Sequence, residues 1–304
     1  MDLARKIFCV AGHRFGVSLP DGADTDRVLR SYLPFEQDVK ETEKNDGSSG
    51  LLFSLCAEQT RDGIGTCGSA LKRLNEESPY IWINDRDDAL VFGFSISDAC
   101  PAFLVRVSPD LSLASIELPQ ACPPSLMSFA LDNSAMLAYM LATACSDTLL
   151  VHASVVRYEG RGYAFTGRSG SGKSTHSRLW LQNIPGTVLV NDDNPVIRML
   201  DGLPVVFGSP WSGKTPCWKN TSAPLQALVH IFQAPENRIE RLRGVHAYAS
   251  FITSCSNLRW KREISDGIHS CVEKVLGTCR SYKLYCLPDR DAALLSFRIC
   301  AEQH

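Results

Sequence analysis

The sequence predicts a two-domain chain of the α+β to α/β kind, with a small β-rich domain over residues 1–122 and a mixed domain over 123–304. Three observations carry this reading. Short alternating apolar runs separated by turn residues fill the first 120 positions. Directly after Cys122-Pro123-Pro124 the apolar period lengthens to that of a helix. A glycine-rich nonapeptide, Gly167 to Thr175, then stands between a strand pattern and a helical one.

In the first half the runs Ile7 to Val10, Leu51 to Leu55, Tyr80 to Asn84, Ala89 to Phe94 and Phe103 to Val107 read as strands. They are punctuated by Pro20-Asp21-Gly22, Asn45-Asp46-Gly47 and Asn84-Asp85. Glu36 to Gly50 is polar enough to read as an exposed loop. From Ser125 to Ala144, Leu126, Phe129, Ala130, Met136, Leu137, Met140 and Leu141 recur at helical spacing behind two prolines, with Ser125 as cap. Beyond Asp147 strands and helices mix. Strands are expected over Thr148 to Val156, Gly162 to Thr166, Thr187 to Val190, Pro195 to Met199, Pro204 to Phe207, Leu225 to Phe232 and Ser281 to Leu287. Helices are expected over Lys173 to Gln182, Val245 to Ser254 and Ile268 to Leu276. The core of this half is placed at 147–245, with a helical remainder over 245–304.

Composition narrows the function. With 31 Lys and Arg against 33 Asp and Glu, the chain has no field that draws polyanions from a distance, so nucleic acid is not an expected partner. No run approaches the roughly 18 apolar residues of a membrane span. The N-terminus lacks the apolar core of a signal peptide, and the twelve cysteines show neither C-x-x-C nor zinc-type spacing. Free thiols and a cytoplasmic location follow as expectations. A homo-oligomer is compatible with this composition, which does not determine the assembly.

Residues 167 to 175, Gly-Arg-Ser-Gly-Ser-Gly-Lys-Ser-Thr, fit G-x-x-x-x-G-K-[ST]. Glycines at 167, 170 and 172 let successive N–H groups of Gly167, Ser169, Gly170, Ser171, Gly172 and Thr175 converge on phosphate oxygens. The following helix adds the partial positive charge of its N-terminus. Lys173 is placed to reach the terminal phosphates and Ser174 to ligate Mg²⁺. A second match, Gly208-Ser-Pro-Trp-Ser-Gly-Lys-Thr215, carries Pro210 and Trp211 where a phosphate cradle needs bare backbone. It reads as a rigid loop whose Lys214 faces the same site. Asp192 and Asp193 end an apolar strand twenty residues beyond Lys173, where one can take metal and the other a proton. His152 interrupts an apolar strand, and a hairpin through Glu159-Gly160 brings it to the mouth of the loop.

This ordered set, His152, the hairpin, Gly167 to Thr175 and Asp192-Asp193, resembles the catalytic half of HPr kinase/phosphorylase. More broadly it is similar to the HPr-kinase-like, phosphoenolpyruvate-carboxykinase-like phosphate-loop proteins, over about residues 147–245. The resemblance implies a mixed sheet and an ATP- and Mg²⁺-dependent kinase. His152 and Asp192 would act at the acceptor hydroxyl, Lys173 and Ser174 would hold phosphate and Mg²⁺, and Asp193 would assist the metal. The Arg-Gly-Leu-Gly-type loop of HPr kinases is absent, and the Gly208 to Lys214 loop stands in its place. Family members of that divergent kind resemble kinases of small peptides or free serine, so the expected acceptor is a serine-type hydroxyl of a peptide, small protein or amino acid. Lys214 and Arg241 are placed facing it. The rival expectation is a phosphate-loop ATPase or nucleotide-binding regulatory module with no acceptor.

Overall fold

The computed structural model describes residues 5–38, 50–60, 71–76, 78–86, 89–213 and 215–302. The chain is mixed α+β and divides into two compact units, Met1–Ala142 and Thr143–His304. The division falls twenty residues beyond the expected one at 122/123, because the long helix belongs with the first unit.

That unit is built on a nine-stranded mixed sheet. Strands β1 (Arg5–Val10) and β2 (His13–Ser18) form a hairpin, and β3 (Glu36–Gln37) pairs with the free edge of β1. The Ala11-Gly12 turn joining them has φ of 51° and 80°, the left-handed pair that a two-residue hairpin requires. Strand β4 (Phe53–Thr60) lies parallel to β2 and to β9 (Leu113–Pro119). The meander continues through β8 (Phe103–Val107), β7 (Ala89–Ser95), β6 (Tyr80–Arg86) and β5 (Lys72–Arg73). The loop expected over Glu36 to Gly50 begins as strand β3, and residues 39–49 lie outside the described ones.

Helix α1 (Thr25–Val28) precedes the long helix α2 (Pro124–Thr143), which starts one residue before the expected Ser125. Its apolar stripe delivers Leu131, Ala135, Ala138 and Tyr139 to the core. There Phe15 stacks on Phe53 with centroids 4.9 Å apart, and the Tyr139 hydroxyl donates to the Val10 carbonyl at 3.0 Å.

The second unit has its own nine-stranded mixed sheet, as the resemblance implies. Strands β10 (Thr148–Leu150), β14 (Val196–Leu200), β15 (Leu203–Phe207), β16 (Ser222–Gln233), β12 (Arg161–Thr166), β11 (Ala153–Tyr158) and β13 (Val188–Asp193) follow in that order. Two more strands, β17 (Arg238–Leu242) and β18 (Arg280–Cys286), extend the sheet from β16. Strand β16 changes neighbours along one edge, antiparallel to β15 through Pro224 and parallel to β18 from Ala227. Its other edge runs parallel to β12.

Helix α3 (Lys173–Asn183) covers one face of this sheet together with α6 (Arg290–Phe297). Trp180 is fully buried among Tyr163, Phe165 and Phe297, with ring centroids 5.1 to 5.6 Å away. Helices α4 (Gly244–Ile252) and α5 (Arg262–Thr278) complete the unit. Among the described residues every cysteine is a free thiol, and no helix is long and apolar enough to cross a membrane.

The strand expected over Thr148 to Val156 is two strands. The chain leaves β14 after Leu150, makes one bridge from Val151 to Cys255, and joins β12 and β13 at Ala153. His152 sits at this change of partners, with its N–H on the Ser254 carbonyl at 2.7 Å. Its position is a break between ladders rather than the interior of a strand, which frees its side chain from the core.

Candidate functional site

Strand β12 ends at Thr166 and the chain enters the glycine loop. Gly167 has φ of 139°, and a Cβ there would stand 2.7 Å from Ser171 Oγ and 3.0 Å from the Ile231 carbonyl. Only glycine fits that close approach. Gly172 caps α3 in the left-handed conformation with φ of 103°, and no side chain satisfies the first-turn N–H groups. An N-terminus of this construction is open to an anion. Lys173 is buried and folds back, its Nζ donating to the Gly167 and Arg168 carbonyls at 3.0 and 3.1 Å. Burial lowers its pKa, opposed by the negative fields of Asp193 and Asp192. Ser174 is exposed beside it, and Gln233 Nε2 pins the loop by donating to the Gly170 carbonyl at 3.0 Å.

Strand register gathers the remaining groups. Asp193, Ala153, Thr166, His230 and Lys283 are successive partners across β13, β11, β12, β16 and β18, so they form one row on one face of the sheet. Asp192 pairs with Ser154, whose hydroxyl meets Ser177 of α3 at 2.6 Å; this carboxylate therefore belongs to the opposite, helix-covered face. The two acids divide by the alternation of the strand.

His152 Nδ1 lies 3.0 Å from Asp193 Oδ1, with both side chains partly exposed. The expected pairing of His152 with Asp192 is thus corrected. Asp193 is on the same row as the break that holds His152, whereas Asp192 points through the sheet. Asp192 is 6% exposed, and its Oδ1 has no hydrogen-bond partner. A buried carboxylate oxygen left in this way is costly unless a cation or donor completes it.

The second glycine loop packs onto the same acids. Asp193 bridges to Ser212, the Gly213 N–H donates to the Asp192 carbonyl at 2.9 Å, and a Cβ at Gly213 would lie 3.2 Å from that of Asp193. Asn191 Nδ2 donates to Ser209 Oγ at 3.1 Å, and Ser209 Oγ to the Asn194 carbonyl at 2.6 Å. Trp211 is buried at 2% exposure, and no helix follows, which suits a brace under the acidic pair rather than a second phosphate cradle. Lys214 itself lies outside the described residues. Cys217 is buried with its thiol on the Val190 carbonyl, a packing role, while Arg241 belongs to a separate cavity with Arg243 and Arg280.

Two cavities flank the glycine loop. One of about 630 Å³ is lined by Gly170 to Gly172, His176, Leu179, Ile231 and Leu287. Two buried polar atoms of its wall, Ser171 Oγ and His176 Nδ1, have no partner. The other, about 360 Å³, lies against the row on the far side and is bounded by Arg168, His230, Phe232, His246, Thr253 and Lys283. Burial and the charges of Lys283, Lys173 and Arg168 hold the His230 pKa down to about 4, so its ring is neutral. Sequence reasoning missed His230, although it is the same signal as His152, a polar residue in an otherwise apolar strand.

Among the described residues no group of three or more His, Cys, Asp or Glu side chains is arranged around a metal position. Mg²⁺ commonly takes one or two protein ligands and completes its shell with water and phosphate. Asp192, with its unpartnered buried Oδ1, and the exposed Ser174 hydroxyl carry oxygen donors of the kind such a partial set uses. No protein-family model matches this chain, and no curated protein matches it significantly.

Proposed function

We propose that the chain is an ATP- and Mg²⁺-dependent phosphotransferase that moves the γ-phosphoryl group to a serine-type hydroxyl. The observation that carries this reading is the His152–Asp193 pair, held at 3.0 Å on the row that runs into the glycine loop.

The 630 Å³ cavity takes the nucleoside, and the first-turn amides of α3 with Lys173 take the phosphates. Lys173 leaves the loop carbonyls for the phosphate oxygens, exchanging two neutral acceptors for charged ones. Asp192 and Ser174 would hold Mg²⁺, which would neutralise charge on the phosphates. The metal role thus moves from Asp193, where the sequence places it, to its neighbour.

The acceptor oxygen attacks the γ-phosphorus and a new P–O bond forms. The bond to the oxygen bridging the β- and γ-phosphates breaks, and its electron pair leaves with ADP. The hydroxyl proton passes to His152 Nε2, because Asp193 accepts the hydrogen bond of Nδ1–H and so leaves Nε2 as the basic nitrogen. It then goes to solvent.

The test is incubation of the purified protein with Mg²⁺ and γ-labelled ATP in the presence of peptides and free serine. Label is expected on an acceptor, and Lys173→Ala is expected to abolish it. Label released only as inorganic phosphate would replace this reading by the ATPase one.

A further inference from the structure

Strand β12 delivers the chain to the glycine loop at Thr166, and its two neighbouring strands each bring a histidine to that point. On the β11 side Thr166 pairs with Ala153, and His152 is the residue before it. On the β16 side Thr166 pairs with His230, on the same face of the sheet. The Thr166 hydroxyl lies 3.2 Å from His230 Nδ1, and the imidazole rests against the Phe232 ring with centroids 4.9 Å apart, so its orientation is fixed on two sides. Buried ring nitrogens are ordinarily hydrogen-bonded. His230 is only 8% exposed, yet its Nε2 has no hydrogen-bond partner among the described residues, and the residue lines the 360 Å³ cavity together with Gly167 and Arg168 of the loop.

The hydrogen bonds also place the proton of this ring. Thr166 is 2% exposed, and His230 Nδ1 is the partner its hydroxyl has. A proton on Nδ1 would leave the hydroxyl proton of Thr166 buried without an acceptor, so Thr166 donates and Nδ1 accepts. Burial holds the ring neutral, and its single N–H is therefore on Nε2, the nitrogen left open to the cavity.

Lys173 marks what this donor meets. Its Nζ occupies the carbonyls of Gly167 and Arg168, the two loop residues in the wall of the same cavity. On the phosphotransferase reading, the terminal phosphate that Lys173 takes up lies at this end of the loop, with His152 on the β11 side of it and His230 on the β16 side.

We propose that His230 is a second catalytic histidine, whose Nε2–H donates to a non-bridging oxygen of the γ-phosphoryl group during transfer. The proposal rests on the phosphotransferase reading and adds a residue to its machinery. His230 gains and loses no proton: the P–O bonds form and break as written above, and His152 alone receives the hydroxyl proton. A donor already held by Thr166 and Phe232 stabilises the charge spread over the γ-oxygens without reorganising.

The experiment is single-turnover transfer from Mg²⁺ and γ-labelled ATP to the serine peptide or free serine that the wild-type chain labels, with Mg²⁺-ATP affinity measured separately. His230→Phe keeps an aromatic ring and removes the donor; it is expected to slow transfer about thirtyfold, the size of one hydrogen bond to a charged group, while Mg²⁺-ATP affinity stays within about threefold. His230→Gln, whose Nε2 can donate from a similar position, is expected to recover about tenfold over the Phe variant. Retained nucleotide affinity in both variants shows that the fold is intact. A His230→Phe rate within about threefold of wild type, a loss of ATP affinity that matches the loss of rate, or a Gln variant no faster than Phe would each overturn the proposal. ATP binding by the wild-type chain with no labelled peptide or amino acid would instead remove the phosphotransferase reading beneath it.

Discussion

Replacing Asp193 by Asn separates the two roles open to this residue. The amide preserves shape but removes the charge that holds His152 in its Nδ1–H form, and an Asn Nδ2 turned toward the ring places the proton on Nε2 instead. At 3.0 Å the interaction spans about 1.4 kcal/mol in bulk water to about 5.5 kcal/mol at an effective dielectric of 20. Both side chains are roughly a third or more exposed, at 42% and 33%, so solvent screening pulls the value toward the lower half of that range. A loss near 3 kcal/mol corresponds to about a hundredfold fall in the transfer rate. The assay is single-turnover transfer of labelled phosphate at saturating Mg²⁺-ATP, with nucleotide affinity measured separately and the Mg²⁺ concentration varied. The expected result is a slower chemical step, unchanged nucleotide affinity and no rescue by metal. A rate within threefold of wild type would refute the pairing argument. Rescue by raised Mg²⁺ would return Asp193 to the metal and refute the assignment of Asp192.

Three further outcomes test the framework around the site. Ser296→Ala removes a buried hydroxyl that receives Trp180 Nε1–H at 2.8 Å and lies 2.9 Å from His176 Nε2, while donating to the Ala293 carbonyl at 3.0 Å. Two buried ring nitrogens lose their partner at about 1–3 kcal/mol each, so urea unfolding should show a loss of about 2–6 kcal/mol. Gly208→Ala places a Cβ 2.0 Å from the Lys219 carbonyl; the variant should lose at least about 2 kcal/mol of stability in the same assay, and unchanged stability would remove the brace.

Asp132, which accepts the Tyr32 hydroxyl at 2.9 Å, is pushed by burial from 3.8 to about 7. The folded carboxyl binds its proton more tightly than the unfolded one, so its stability contribution is complete below about pH 3.8 and is lost as pH rises to about 7. Asp132→Asn should flatten that part of the stability profile, measured as the difference from wild type across the window.

The glycine loop was legible because its chemistry is local: the glycines, lysine and helix start are consecutive, and their spacing alone demands the bend. The long helix and most strands were legible for the same reason, since period is a property of a short window. Strands β2 and β17 and helix α6 escaped because weakly patterned or polar runs such as Arg238 to Leu242 become strands only through an edge offered by a neighbour, while β9 escaped although Ala114, Ile116 and Leu118 alternate along it. The pairing of His152 was misread because a stretch of apolar residues does not reveal where a chain changes partners.

From its residues alone the chain declared a glycine-rich loop ahead of a helix, an acidic pair and a histidine, since each is written in adjacent positions. Which acid faces the histidine, which face of the sheet carries the cations, and that Pro210 and Trp211 brace rather than cradle depended on the fold. Those are matters of register: a strand turns neighbouring side chains to opposite faces, and only pairing across five strands brings Asp193, Thr166, His230 and Lys283 into one row.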